Sequence, residues 1–234
     1  MDKSVEEVDN SPQKTACRAI LGIYAKQPLP GQCKTRLSPP LSPAEAAALY
    51  QCCLVETVSR MQAVGGCDLA ICYAGERSWF EREFPDITLQ PQRGPDLGAR
   101  MAGSLCGFLQ QGYHQAILIG SDTPDLPLPL VAQAFAALQQ VELVLAPATD
   151  GGYVLIGESV HRPELFEAIH WSTDTVLAET LRRAERYGIV AETLGSWEDL
   201  DDPRSLLNLL RRSPKTRTAR YLQQHLSHIF TENS

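Results

Sequence analysis

Four stretches of this sequence, and a weaker fifth, gather carboxylates, cations or glycines in patterns that can do chemistry. The first is Gly120-Ser121-Asp122-Thr123-Pro124-Asp125-Leu126, directly after the apolar run Ala116-Ile117-Leu118-Ile119. A short β-branched run bounded by Gly and Pro reads as a buried strand that closes in a tight turn. That places the Asp122 carboxylate just past the carboxyl end of the strand, where open parallel sheets bind their ligands. A carboxylate held there can grip a divalent ion that bridges phosphates. A lone Asp at such a turn is more often a cap or turn residue, so the weight rests on what else reaches the same edge.

Lys26, Lys34 and Arg36 lie in the loop Tyr24-Ala25-Lys26-Gln27-Pro28-Leu29-Pro30-Gly31-Gln32-Cys33-Lys34-Thr35-Arg36-Leu37. Two prolines stiffen it, Gly31 opens it, and its cations suit an anionic ligand, since Arg chelates phosphate and Lys adds a point charge. A solvated basic loop is the alternative. Gly31 to Thr35 superficially resembles a phosphate-binding Walker loop, but no Gly immediately precedes Lys34 and the prolines remove N–H donors, which excludes it.

Pro147-Ala148-Thr149-Asp150-Gly151-Gly152-Tyr153 reads first as a hairpin turn. Functionally, Gly151 and Gly152 let backbone approach a ligand while Asp150 adds a carboxylate beside Asp122. Trp197-Glu198-Asp199-Leu200-Asp201-Asp202-Pro203 packs four acids into five positions, which repel unless a cation neutralises them. Asp202 is explained as a helix cap; Asp199 and Asp201 are spare, and Asp201 is the second candidate metal ligand. His170, beside Trp171, is a structural histidine or the lining of an acceptor pocket.

The elements that must position these residues alternate between strand and helix. Strands are expected over Arg18–Tyr24, Asp68–Tyr73, Ile87–Gln90, Ala116–Ile119, Glu142–Ala146, Tyr153–Ile156 and Ile189–Leu194. Helices are expected from the Ser42-Pro43-Ala44-Glu45 capping box towards Val64, over Leu97–Gln111, Leu128–Gln140 and Asp174–Tyr187, and from Asp202-Pro203 to Arg212. This is the alternation of an α/β fold with a mainly parallel sheet. Residues 1–15 are expected to be a disordered tail, 16–212 one nucleotide-binding domain, and 213–234 a helical extension. Tyr221, Leu222, Leu226, Ile229 and Phe230 have helical spacing, for packing on the body or on a second copy in a homodimer.

With 28 acidic against 21 basic residues, the formal net charge of −7 argues against a general nucleic-acid binder. Arg211, Arg212, Lys215, Arg217 and Arg220 read as a solvated helix face. No apolar run is long enough to span a bilayer, and the polar start lacks a secretory signal's regions. Seven cysteines show neither disulfide nor zinc spacing, which fits reduced thiols in a cytoplasm.

In the order AKQPLPGQCKTRL, GSDTPDL, ATDGGYVLIG, HWSTDTV and DLDDPRSL, the chain resembles the DUF2064-type nucleotide-diphospho-sugar transferase-like proteins over about Ile20 to Leu210. Some of these are described as arsenosugar-biosynthesis glycosyltransferases; phospholactate and molybdenum-cofactor guanylyltransferases are more distant relatives. The resemblance implies a GT-A-like single domain with a mainly parallel mixed sheet flanked by helices, binding a nucleotide sugar or NTP with Mg²⁺ or Mn²⁺. It puts Asp122 and Asp201 at the metal; on the reading of the residues above, Lys26, Lys34 and Arg36 hold the phosphates, and Gly151 and Gly152 line the ligand. Asp150 or His170 is then the group facing a small-molecule acceptor. Two departures stand out: Asp122-Thr123-Pro124-Asp125 replaces the usual Asp-x-Asp, and the first loop is not the Gly-rich loop of sugar nucleotidyltransferases. The resemblance therefore implies glycosyl transfer, with nucleotidyl transfer as the alternative and a non-catalytic nucleotide-binding module as the third reading.

Overall fold

The computed structural model describes residues 18–230; the expected N-terminal tail lies outside them. Seven strands, β1 (Ala19–Lys26), β2 (Asp68–Ala74), β3 (Thr88–Pro91), β4 (Gln115–Gly120), β5 (Leu143–Pro147), β6 (Tyr153–Glu158) and β7 (Ala191–Thr193), form one sheet in the order β3-β2-β1-β4-β6-β5-β7. Every pairing is parallel except those of β6, which runs antiparallel to both β4 and β5. The mainly parallel mixed sheet is as the sequence implied. Among the described residues seven α-helices accompany it: α1 (Pro43–Met61), α2 (Arg77–Glu83), α3 (Leu97–Gln110), α4 (Leu128–Ala137), α5 (Val176–Arg186), α6 (Pro203–Arg212) and α7 (Arg217–His225).

The period of two along each strand divides the core into layers. Leu21, Ile23, Ile71, Ile117 and Ile119 face α1 and α4 through Leu54, Val58, Val131 and Ala134. Ile20, Ala70, Cys72, Ala116 and Leu118 face α3 and α5 through Leu105, Phe108 and Ala184. Residues buried on both faces explain why these strands read as continuous apolar runs.

Helix starts follow their caps. Ser42 Oγ accepts from Glu45 N–H at 3.3 Å while Glu45 Oε2 accepts from Ser42 N–H at 2.8 Å, and Asp202 Oδ1 accepts from Ser205 N–H at 2.7 Å. The short α2 lies in a stretch where the sequence marks no element. Only Phe80 of it is fully buried, against Tyr73 at 5.2 Å between ring centroids, so tertiary packing rather than periodicity makes the helix. The C-terminal segment packs on its own chain: Ala219, Leu222, Leu226 and Ile229 join Leu49, Cys53, Leu206 and Leu209 in one cluster. Buried Glu56 of α1 accepts from the N–H groups of Arg217 and Thr218, each at 2.7 Å, taking two of the orphan donors that open α7.

The basic residues near the C-terminus do not form a uniformly solvated face. Arg212 turns inward and is only 25% exposed, because two buried-edge carboxylates, Asp125 and Glu198, face it. No described helix is long and apolar enough to cross a membrane.

Candidate active site

β1 and β4 are parallel neighbours, with Tyr24 opposite Gly120 near their carboxyl ends. From β1 the chain crosses to β2 on one side, whereas β4 lies on the other. The order reverses between them, which opens the crevice where doubly wound sheets hold ligands. Tyr50 of α1 ties the two strand ends together: its hydroxyl accepts from Lys26 N–H at 3.1 Å and bonds Ser121 Oγ at 2.7 Å. Thr123 Oγ1 donates back to Gly120 O at 3.2 Å, so the turn that presents Asp122 is braced from both sides.

A third segment arrives from beyond β7. Trp197 N–H donates to Pro147 O at 2.9 Å, and Leu200 N–H to Asp122 O at 3.1 Å. Leu200 is fully buried, and alternation along an extended chain then points Asp199 and Asp201 together toward the crevice. One ligand oxygen each from Asp122, Asp199 and Asp201 lie within 4.8 Å of one another. Asp199 was spare in the sequence; its spacing of two from Asp201, across a buried Leu, is the signal that identifies it.

Lys34 closes the cluster. Its Nζ is 2.8 Å from Asp122 Oδ2 and 2.6 Å from Asp201 Oδ1, with the side chain only 6% exposed. Arg36 Nη1 adds a contact to Asp201 Oδ2 at 3.3 Å. Lys34 holds φ 49 and ψ 39, the left-handed region, which is uncommon for a non-glycine residue and concentrated at functional sites. Burial alone would lower the Lys34 pKa, but the two carboxylates hold it above the ordinary lysine value. Burial likewise opposes ionisation of Asp122, yet the Lys34 ammonium keeps its carboxyl below the usual range. At Asp199 the balance tips the other way: burial first, then repulsion by Asp122 and Asp201, outweigh the pull of the Lys34 ammonium and push its carboxyl up to about 7. Three oxygen donors with one cation between them are the donor set of a hard divalent ion such as Mg²⁺ or Mn²⁺, and the residues fit one.

Two adjoining cavities open here. The larger, about 660 Å³, is lined by Lys26, Lys34, Arg36, Arg100 and the three aspartates, among others. The smaller, about 440 Å³, shares Arg36, Tyr153, Asp199 and Asp201 with it and adds Asp150, Gly152, Trp171 and Asp174. Asp150-Gly151-Gly152 is indeed the turn between β5 and β6, with Asp150 Oδ1 accepting from Gly152 N–H at 2.9 Å. Gly151 is required there: φ is +90, and a Cβ would lie 2.1 Å from Asp174 O. The Trp171 ring is stacked on Phe166, 6.5 Å between centroids, and seated on Gly98, where a Cβ would come within 2.3 Å of it.

Of the residues singled out in the sequence, the structure brings Lys26, Lys34, Arg36, Asp122 and Asp201 together at the larger cavity, and Asp150 and Gly152 to the smaller. Gly151 lies behind that wall. His170 lines neither cavity; its side chain is 79% exposed and its Nδ1 is 2.9 Å from Glu179 Oε1.

A mixed sheet with a switch-point crevice, acidic residues beyond β4 and cations beyond β1 define the nucleotide-diphospho-sugar transferase type of α/β fold. The chain belongs to the family described as uncharacterized protein conserved in bacteria (DUF2064), whose model matches residues 57–173. It superimposes with a TM-score of 0.81 on a crystal structure of a candidate nucleotide-diphospho-sugar transferase from Desulfovibrio desulfuricans G20, at 31% identity over 91% of this chain and 96% of that one. CMP:2-keto-3-deoxy-manno-octonic acid synthetase complexed with CTP gives a TM-score of 0.51 at 13% identity, over 82% of this chain and 96% of that one. Rv0371C from Mycobacterium tuberculosis H37Rv, in complex with manganese, gives 0.52 at 13% identity, over 83% and 98%. At those two identities the likeness is one of fold. No curated protein matches the sequence.

Proposed function

We propose that this chain is a metal-dependent glycosyltransferase that moves a sugar from a nucleotide-sugar donor to a hydroxyl of a small-molecule acceptor. The observation that carries this reading is the pair of adjoining cavities, the larger with four cations beside the aspartate triad and the smaller with one cation against four carboxylates, with Asp199 and Asp201 lining both. The larger one gathers Lys26, Lys34, Arg36 and Arg100, which suit a diphosphate. In the smaller one, Arg36 stands alone against Asp150, Asp174, Asp199 and Asp201. Such a wall repels a phosphorylated acceptor and suits a neutral, hydroxyl-rich one, for which the fixed face of Trp171 is a platform.

Asp122, Asp199 and Asp201 would hold the divalent ion, Mg²⁺ or Mn²⁺, which when bound supplies charge neutralisation to the departing nucleoside diphosphate. Lys26, Lys34 and Arg36 bind the same phosphates, where negative charge grows as the bond from the sugar's anomeric carbon to phosphate oxygen breaks. The acceptor oxygen forms the new bond to that carbon. Its proton passes to Asp150, which has one carboxylate oxygen left after bonding Gly152. Gly151 shapes this turn and Gly152 lines the pocket. His170 is the poorer candidate for this role, because Glu179 holds its ring at the surface, outside both cavities. A cytoplasmic setting accords with the free cysteines of the described residues.

Nucleotidyl transfer, with pyrophosphate leaving an NTP, is the second reading, and the CTP complex of a solved neighbour favours it. A calorimetric panel of UDP-, GDP-, ADP- and TDP-sugars against the NTPs, with and without Mn²⁺, separates the two. Metal-dependent binding of one nucleotide sugar, lost in Asp122→Ala, is the expected result. Binding of an NTP alone, with pyrophosphate released, would replace the proposal by nucleotidyl transfer. Binding without turnover of either kind would leave a nucleotide-binding module.

A further inference from the structure

Asp125 stands three residues beyond Asp122, but its carboxylate turns away from the triad and its side chain is only 3% exposed. Four donor contacts fill it: Arg212 Nε at 2.7 Å and Nη2 at 3.1 Å, Ser213 Oγ at 2.8 Å, and Trp197 Nε1 at 3.2 Å. It therefore has no lone pair left for a metal. The same guanidinium also reaches the other acidic segment. Its Nη1 bonds Glu198 Oε2, and Nη2 donates to Glu198 O at 3.1 Å. Asn208 of α6 holds the second Glu198 oxygen at 2.8 Å, and the Trp197 ring lies 5.3 Å from the guanidinium carbon.

We propose that Arg212 is the positioning residue that keeps Asp122 in register with Asp199 and Asp201. One planar cation at the end of α6 grips both segments that carry the triad, Asp122–Asp125 through the Asp125 carboxylate and Glu198–Asp201 through both side chain and backbone of Glu198. Lys34 bridges Asp122 and Asp201 from inside the crevice, in the place a metal ion would take; Arg212 ties the same two segments from outside it, where a ligand does not compete. The fork suits that task better than a lysine, because its donors leave in fixed directions within one plane. A buried ion pair is weak evidence for stability, and its best-attested use is to set register. Arg212 does not touch a ligand; it acts through Asp125 and Glu198, as the outer partners of metal ligands do.

The cation clause rests on the proposed function, so the test uses two readouts on the full chain. Mn²⁺ alone is titrated by calorimetry into wild type, Arg212→Met, Arg212→Lys and Asp125→Asn, well below their melting temperatures. Exchange of the Leu200 amide, which donates to Asp122 O, is followed by hydrogen–deuterium exchange with α1 amides as the internal reference. Weakening of Mn²⁺ binding by about 10- to 100-fold in Arg212→Met is expected, the cost typical of losing an outer-sphere partner, with a smaller loss in Arg212→Lys. Leu200 exchange should quicken while α1 stays protected. Unchanged Mn²⁺ affinity in a folded Arg212 variant overturns the proposal, however far its melting temperature falls. If Arg212→Met does not fold, Arg212→Lys decides by the same criterion. Should wild type bind no Mn²⁺, the metal in the proposed function fails, and Leu200 exchange alone decides whether Arg212 holds the segments: faster supports it, unchanged refutes it.

Discussion

Replacing Lys34 by Met removes the ammonium that, alone among the described residues, touches both Asp122 and Asp201, at 2.8 and 2.6 Å. At an effective dielectric near 20, a pair of unit charges about 3.5 Å apart is worth about 5 kcal/mol before desolvation. Burying the ammonium costs several kcal/mol in return. Breaking a fully buried pair by removing one partner costs about 3–5 kcal/mol. Here the carboxylate side chains keep 28% and 34% of their surface in water, so we expect about 2–3 kcal/mol after screening. For a chain of this size each kcal/mol moves the melting temperature by about 2–4 °C, so metal-free Lys34→Met should melt roughly 4–12 °C below wild type. Mn²⁺ then stands in for the missing charge. At 100 times its dissociation constant an ion adds about 2.7 kcal/mol, and it does so without displacing a lysine in the variant. Calorimetric melting with and without Mn²⁺ should show the gap closing as the metal saturates. A variant as stable as wild type without metal, or a gap that Mn²⁺ leaves untouched, refutes the argument that Lys34 occupies the cation's place.

Two further expectations concern residues beside the smaller cavity. Gly151→Ala forces a side chain onto a φ of +90 and a Cβ to 2.1 Å from Asp174 O; backbone strain of about 1–3 kcal/mol plus the clash should lower the melting temperature by several degrees in a thermal-unfolding scan, and no change would refute the close approach. Glu179 is pulled down to about 2, by the His170 backbone N–H first and the His170 ring next, against burial, with Thr175 adding to it. Its folded pKa lies below its ordinary 4.5, so the stabilisation is present above about pH 4.5 and is lost as pH falls toward 2. Urea unfolding of wild type and Glu179→Gln should therefore differ above about pH 4.5 and converge as pH falls toward 2; a difference that persists undiminished at pH 2 would contradict the pairing.

Much of this molecule can be read from local pattern. Apolar runs bounded by Gly and Pro mark β1, β4, β5 and β6, and the boxes at Ser42 and Asp202 mark where α1 and α6 begin, because caps and strand ends are set by neighbours in sequence. Candidate residues at strand ends, Lys34, Arg36, Asp122, Asp150 and Asp201, follow from the same reading. The helix α2 escapes it, since a seven-residue helix with one buried Phe80 has no period to detect.

What the sequence by itself determined is which segments are strands, which are helices apart from α2, and which turns carry charge. Only the tertiary structure decided the partners of those charges. Arg211 and Arg212 look alike on a basic helix end, yet strand order and the return of the chain past β7 bring Asp125 and Glu198 to Arg212. His170 and Asp150 look like equal candidates, yet Glu179 draws one to the surface while the β5–β6 turn delivers the other to a cavity. Contacts between residues far apart in the chain depend on register across the whole sheet, and register is settled by the packed core rather than by any one segment.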